Sequence, residues 1–239
     1  MAKSKLLGIL GGLGPMSTVY FYELLTALTD AKCDQEHIDM VISSRATTPD
    51  RTAYILGKSG ENPLDVMIPE ARKLVAYGAE LIAIPCNTAH YFYDRLAAEI
   101  DVPILNIIEE SVKRLREDGI KRFGLLATEG TVKSGTYQKY CDAHGIGCIV
   151  PDEEHQRMVS EIIYGEIKKN RPADMERFGR ISEHMRSLGC ERLILGCTEL
   201  SLIKRDNKLG DYYTDSLECL ALATIRACGK RTIYDINQH

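Results

Sequence analysis

Two cysteines occupy the same local pattern at distant points in the chain. In AELIAIPCNTAHYF, residues 79–92, an aliphatic run ends at Cys86 and gives way to Asn87 and Thr88; in GCERLILGCTEL, residues 189–200, another ends at Cys197 and gives way to Thr198 and Glu199. Placing Gly78 over Gly189 puts Glu80 over Glu191 and Cys86 over Cys197. A single cysteine at a strand end is compatible with plain packing, since free cysteine is among the most buried residue types. A matched pair points to chemistry: a thiolate removes a proton, a thiol supplies one, and two on opposite sides of a carbon move a proton from one face to the other. Asn87 and Thr88 are good helix caps, and the helix they predict, through about Ala98, directs its positive end at the Cys86 sulfur. Thr198 is expected to cap in the same way after Cys197. Glu199 lies so near the second sulfur that it opposes thiolate formation, and is assigned to a substrate ammonium or to a shared proton.

Other motifs carry less. GGLGPMST, residues 11–18, lacks the Gly-Lys-Ser/Thr ending of a P-loop and is only a degraded dinucleotide fingerprint. Arg45 would take a 2′-phosphate in an NADP reading, but that reading leaves the paired cysteines unexplained. The simpler assignment is a turn whose backbone N–H groups and hydroxyls, at a helix start, hold a small carboxylate. Cys86 and His90 stand at i and i+4, a spacing open to a metal or a Cys-His nucleophile. No further ligand cluster accompanies them, so no metal set is expected and His90 is read as a helix-surface residue. Arg51, in TPDRTAYILG, is a candidate carboxylate clamp through two parallel hydrogen bonds, although a surface arginine reads equally well. Lys168, in YGEIKKNRP, carries the same two readings.

The elements that must position these groups alternate short aliphatic strands with amphipathic helices, which predicts an α/β protein with mostly parallel sheets. The duplication extends past the cysteines: residues 5–22 can be laid over 121–138, with Gly8 on Gly124 and Gly14 on Gly130. The two matched segments are offset by 116 and 111 residues, close enough for two related halves separated by one loop insertion. The expected domains are 1–103 plus 212–239, carrying Cys86, and 104–211, carrying Cys197. The final helix has no counterpart in the first half and is expected to pack back onto it. In open parallel sheets ligands bind beyond the carboxyl ends of the strands, where both thiols fall. Halves related by a pseudo-twofold axis would bring the two thiols to one cleft.

Composition bounds the function. The chain has 239 residues, 44% hydrophobic, a formal charge of −4 and no basic run, so it can bury a sizeable core and offers no nucleic-acid footprint. The N-terminal lysines precede an apolar run that is too short and glycine-rich for a signal peptide and lacks a small-x-small cleavage site. No segment has the apolar length of a membrane span. Eight scattered cysteines without a C-x-x-C motif fit reduced thiols in a cytoplasm.

Taken together, ILGGLGP, PDRTAYILG, PCNTAH, LLATEGT and LGCTEL, in this order, closely resemble the aspartate racemases of the cofactor-independent aspartate/glutamate racemase family. The resemblance implies a two-domain α/β fold, usually a homodimer, in which two cysteines racemise a free acidic amino acid without pyridoxal phosphate or metal. It implies Cys86 and Cys197 as the two bases, Cys86 working on the D enantiomer and Cys197 on the L. Asn87, Thr88, Thr131 and Thr198 would lie near the substrate's α-carboxylate and ammonium, and Arg51 and Lys168 would meet its side-chain carboxylate. Glutamate racemases usually carry Asp-Ser-Gly at the first turn and a His after the second Cys-Thr; Gly11-Gly12-Leu13 and Glu199 stand there instead, which favours aspartate. Leu13 replaces the methionine common in aspartate racemases, an apolar contact. SSRATTPDR places Arg45 and a threonine pair where many relatives have an Asn-x-Pro-x-Ile-like run, an added charge that bears on side-chain preference. Two rivals are a two-cysteine maleate-type isomerase, in which one thiol adds to an alkene, and a non-catalytic carboxylate-binding protein.

Overall fold

The computed structural model describes residues 4–235. The outer limits of the expected first domain, residues 1–3 and 236–239, lie outside the described residues. The chain forms two compact units: Met1–Pro49, Glu61–Ile107 and Leu217–His239 in the first, and Asp50–Gly60 with Ile108–Ser216 in the second.

The strands are β1 (Leu7–Gly11), β2 (Met40–Ser44), β3 (Leu81–Ala83) and β4 (Ile104–Leu105) in the first unit, and β5 (Arg122–Leu126), β6 (Gly147–Ile149), β7 (Arg192–Leu195) and β8 (Tyr213–Asp215) in the second. The helices are α1 (Pro15–Leu28), α2 (Arg51–Ile55), α3 (Leu64–Tyr77), α4 (Tyr93–Ala97), α5 (Ile107–Glu117), α6 (Glu129–Lys133), α7 (Thr136–His144), α8 (Glu153–Ser160), α9 (Met175–Ser187), α10 (Thr198–Asn207) and α11 (Ser216–Ala227). The expected α/β class is the observed one. Each sheet has four parallel strands, in the order β2-β1-β3-β4 and β6-β5-β7-β8.

The two sheets repeat each other residue by residue. Gly8 pairs with Ile82 across β1 and β3, and Gly124 pairs with Leu193 across β5 and β7, the partners that the two sequence offsets dictate. Glu80 accepts the Leu6 amide at 3.2 Å, and Glu191 accepts the Arg122 amide at 2.9 Å. Both helices that precede the interior strand end at a left-handed glycine, Gly78 and Gly189. Close helix-on-strand packing explains the strand glycines. A Cβ on Gly8 would lie 3.0 Å from Ala79 Cβ and 3.2 Å from Leu74 Cβ; one on Gly124 would meet Leu193, Met185 and Cys190, the same three positions.

Asp50–Gly60 departs from the expected boundary. Sequence order places it in the first domain, but α2 packs on α6 of the second unit. Gly130 comes so close to α2 that a Cβ there would lie 2.9 Å from Thr52 Cα, and the Tyr164 hydroxyl donates to Thr52 Oγ1 at 2.9 Å. Asp50 caps α2, accepting the Ala53 amide at 2.7 Å.

Gly8→Ala is expected to cost about 1–3 kcal/mol, because the added methyl meets two Cβ atoms that cannot move independently of the backbone. Gly124→Ala should cost less, since the ends of Leu193 and Met185 can turn aside. Urea unfolding midpoints of the two variants check the order.

Candidate active site

In the first unit, Ile84 and Pro85 carry the chain beyond β3 to Cys86, which is buried beside Asn87 and Thr88. The expected continuous helix is absent. Thr88–Phe92 forms a 3₁₀ turn, Asn87 makes no side-chain cap, and α-helix begins only at Tyr93. His90 shows why. Its ring is buried, not on the surface, and Nδ1 lies 2.8 Å from the Cys86 carbonyl oxygen while Nε2 lies 3.3 Å from the Ile107 amide. A neutral ring with its proton on Nδ1 donates to the Cys86 carbonyl and accepts the Ile107 amide, Nε2 also lying 3.3 Å from the Leu105 carbonyl oxygen, and burial pushes the His90 pKa down, which favours a neutral ring. His90 therefore holds the Cys86 backbone in a tight turn and spends Nδ1 on a carbonyl, not on the sulfur.

At the end of β1, Gly12 adopts φ +85°, and its amide donates to Thr18 Oγ1 at 2.9 Å. The Arg45 backbone crosses so near that any Cβ on Gly12 would collide with it. Leu13 is buried in this turn, Pro15 opens α1, and the Arg45 side chain is exposed. Ser17, which sequence reasoning left out of the site, is buried with an Oγ that makes no hydrogen bond. A buried hydroxyl in that state carries a desolvation cost that a polar ligand would relieve. The signal for it was present, as one of the hydroxyls of GGLGPMST.

The second unit gathers most of the remaining residues. Gly196 carries the chain from β7 to Cys197, which is the N-cap of α10; Thr198 is the first helical residue and not the cap. The buried Cys197 thiol donates to Glu199 Oε2 at 2.9 Å, and Lys168 Nζ lies 3.1 Å from Glu199 Oε1. Burial first, and then the Glu199 charge, raise the Cys197 pKa well above its ordinary value, against the opposing pull of Lys168.

Lys168 follows a π-helical turn, Glu161–Glu166, that continues α8. Such turns redirect side chains where a regular helix would not. Here the turn presents Tyr164, with Lys168 Nζ 5.3 Å from its ring centre. Burial pushes the Tyr164 pKa up to about 12, against the opposing pull of its hydrogen bond to Thr52. Tyr164 also bonds Thr52, the neighbour of the buried Arg51, so α2 is tied to the Cys197 surroundings. Thr131 is buried in α6, where Thr128 caps the helix by accepting the Thr131 amide at 3.3 Å. Tyr164 was missed by sequence reasoning, although it stands in the stretch quoted for Lys168. Cys86, Asn87, Thr88 and Leu13 thus belong to the first unit, and Arg51, Thr131, Lys168, Cys197, Thr198 and Glu199 to the second.

Among the described residues no helix is long and apolar enough to cross a membrane. Residues 10–224 match the Asp/Glu/hydantoin racemase family. The chain is 30% identical to the broad-specificity amino-acid racemase RacX of Bacillus subtilis, over 92% of this chain and 96% of that one. It is 34% identical to the glutamate racemase of Aquifex pyrophilus, over 61% of this chain and 58% of that one. Among solved structures, Picrophilus torridus aspartate racemase superposes with a TM-score of 0.81 at 31% identity, over 97% of both chains.

The native state holds the Cys197 proton more tightly than the unfolded chain does. Its contribution to stability is therefore present below the ordinary thiol pKa of about 8.5 and is lost as pH rises beyond it. Glu199→Gln removes the adjacent charge and should lower the thiol pKa. At pH 8, iodoacetamide labelling of Cys197 is expected to run about tenfold faster or more in that variant, read by mass spectrometry of the Cys197 peptide. Equal rates would mean that Glu199 does not hold the proton in place.

Proposed function

The chain belongs to the Asp/Glu/hydantoin racemase family and is an amino-acid racemase, and from that premise we propose that it interconverts L- and D-aspartate, with glutamate as a second substrate, by a two-base thiol mechanism that needs no pyridoxal phosphate. The carrying observation is the equivalence of the two thiols. Cys86 follows β3 and Cys197 follows β7, the corresponding interior strands of sheets with the same order and register.

The hydrogen on Cα of an amino acid is a very weak acid. Inversion requires one group to remove it from one face while another returns a proton to the other face. In this reading Cys197, a thiol hydrogen-bonded to Glu199, is the resting proton donor. Cys86 is then the base that acts first, on the D enantiomer; Cys197 is the base for the L enantiomer, and each turnover exchanges the roles. The apparent pKa values belong to the pair. The Gly12 turn with Ser17, together with Asn87, Thr88, Thr131 and Thr198, holds the α-carboxylate and ammonium, and Arg51 and Lys168 hold the side-chain carboxylate. Leu13 supplies an apolar contact. In this reading the enzyme works as a homodimer in a reducing cytoplasm. A broader amino-acid specificity is the second reading, favoured by the similarity to RacX over 92% of the chain and by Arg45 beside the first turn.

Cys86→Ser and Cys197→Ser are each expected to lower racemisation by at least about a thousandfold while sparing the fold. Wild-type turnover in deuterated water should place deuterium on Cα, followed by NMR with both enantiomers of aspartate and glutamate and with maleate. Full activity in either variant would rule out the two-base scheme. A covalent sulfur adduct without exchange would favour the maleate reading, and ligand-induced stabilisation without exchange the binding-protein reading.

Lys168→Met should lower kcat/KM for aspartate by about 30- to 100-fold, the loss of a charge-assisted hydrogen bond. It should cost much less for an amino acid with a neutral side chain. Equal losses for both would remove Lys168 from side-chain recognition.

A further inference from the structure

A second cluster of chemically capable side chains lies in the second unit, outside the residues assigned to racemisation. Asp152 is the N-cap of α8, His155 is in its first turn, and His184 is in the last turn of α9. One ligand-type atom from each of the three falls within 4.8 Å of the others, the one such group of three or more His, Cys, Asp or Glu among the described residues.

Asp152 Oδ1 accepts the His155 amide at 2.9 Å and lies 2.8 Å from His155 Nδ1. Those contacts alone would make an ordinary capped helix. The second imidazole is what a cap does not explain. The His184 ring stacks on His155 with centres 3.7 Å apart and planes 5° apart. Its Nε2 lies 3.3 Å from Asp152 Oδ2, and that nitrogen is buried yet makes no hydrogen bond. Two ring nitrogens thus turn toward one carboxylate, each beside a different oxygen.

We propose that Asp152, His155 and His184 bind a divalent transition-metal ion of the zinc class, with water completing its coordination. Imidazole and carboxylate donors suit zinc, cobalt, nickel and copper better than magnesium or calcium, which prefer all-oxygen sites. Ligands about 2.1 Å from a tetrahedral zinc stand about 3.4 Å apart, near the observed 2.8 and 3.3 Å separations, and the two stacked rings turn out of parallel on binding so that both lone pairs point at one ion. Asp152 is exposed and the two histidines are part-buried, which leaves an entry path and room for water. The ion would pin the start of α8 to the end of α9. The same α8 continues through the π-helical turn to Tyr164 and Lys168, and Gln156 in its first turn donates to the Ala127 carbonyl at 3.0 Å. The site is structural, and takes no part in the proton transfer.

The full-length chain, with its thiols kept reduced, is titrated with Co²⁺ and then with Zn²⁺. One cobalt per chain is expected, with visible d–d bands and no sulfur-to-cobalt charge-transfer absorption, displaced by zinc. His155→Gln and His184→Ala should each weaken binding about 100-fold or more and abolish the rise in Tm that zinc gives the wild type. Pulsed EPR of the Cu²⁺ form provides a readout that depends on no variant: it should report two imidazole nitrogens. Absence of binding at millimolar metal, a thiolate signature as the only one seen, or undiminished affinity in both variants would overturn the assignment.

Discussion

The structure depends on how closely a helix can lie on a parallel sheet. In each unit the first strand presents a glycine, Gly8 or Gly124, to the end of the helix that leads into the interior strand. That approach, with the left-handed glycine and the Glu80 or Glu191 carboxylate on the first strand's amides, fixes where the interior strand begins. Once its start and register are fixed, so is its carboxyl end, where the chain must leave the sheet and backbone groups lose their ladder partners. Cys86 and Cys197 occupy that exit. A shift of one residue would turn each strand's side chains to the opposite face, so the register is also a constraint on the thiols.

The second unit adds a chain of polar contacts to this frame. Thr52, Tyr164, Lys168, Glu199 and Cys197 follow one another through a hydroxyl pair, a cation over an aromatic face, an ion pair and a thiol hydrogen bond. Every member except the exposed Lys168 is at least partly buried, where such contacts are stronger than in water and the loss of one leaves its neighbour uncompensated. The π-helical turn makes the chain possible by setting Tyr164 and Lys168 where a regular continuation of α8 would not. The surroundings of Cys197 are thereby tied to the short helix that carries Arg51.

Much of this was legible in the sequence because the repeat encodes backbone geometry. Glycines at matched positions have a packing cause, and strand order follows from the alternation of elements, so the α/β class, the parallel sheets and the equivalence of the cysteines could be read. Three features could not. The 3₁₀ turn after Cys86 depends on His90 reaching Ile107, a tertiary contact that overrides the capping propensity of Asn87 and Thr88. The grouping of Asp50–Gly60 with the second unit depends on Gly130 and Tyr164, far away in sequence. The meeting of His184 with Asp152 and His155 depends on how α8 and α9 pack, and no spacing rule connects residues on separate helices.

The two thiols are equivalent in topology but not in surroundings, and the proposed two-base mechanism gives a reason for that difference. A pair of identical sulfurs would compete for one proton, and the population with the proton in a defined place would be divided. Here Cys197 sits at the start of a true α-helix, whose dipole favours thiolate, yet burial and Glu199 outweigh that influence and keep the proton on sulfur. Cys86 has no carboxylate two residues on, and its carbonyl is held by a neutral ring. The duplicated fold supplies two equivalent positions, and the unduplicated side chains give the two sulfurs different surroundings. In the proposed two-base mechanism, a proton held on Cys197 would set which enantiomer the resting form accepts without first rearranging a proton.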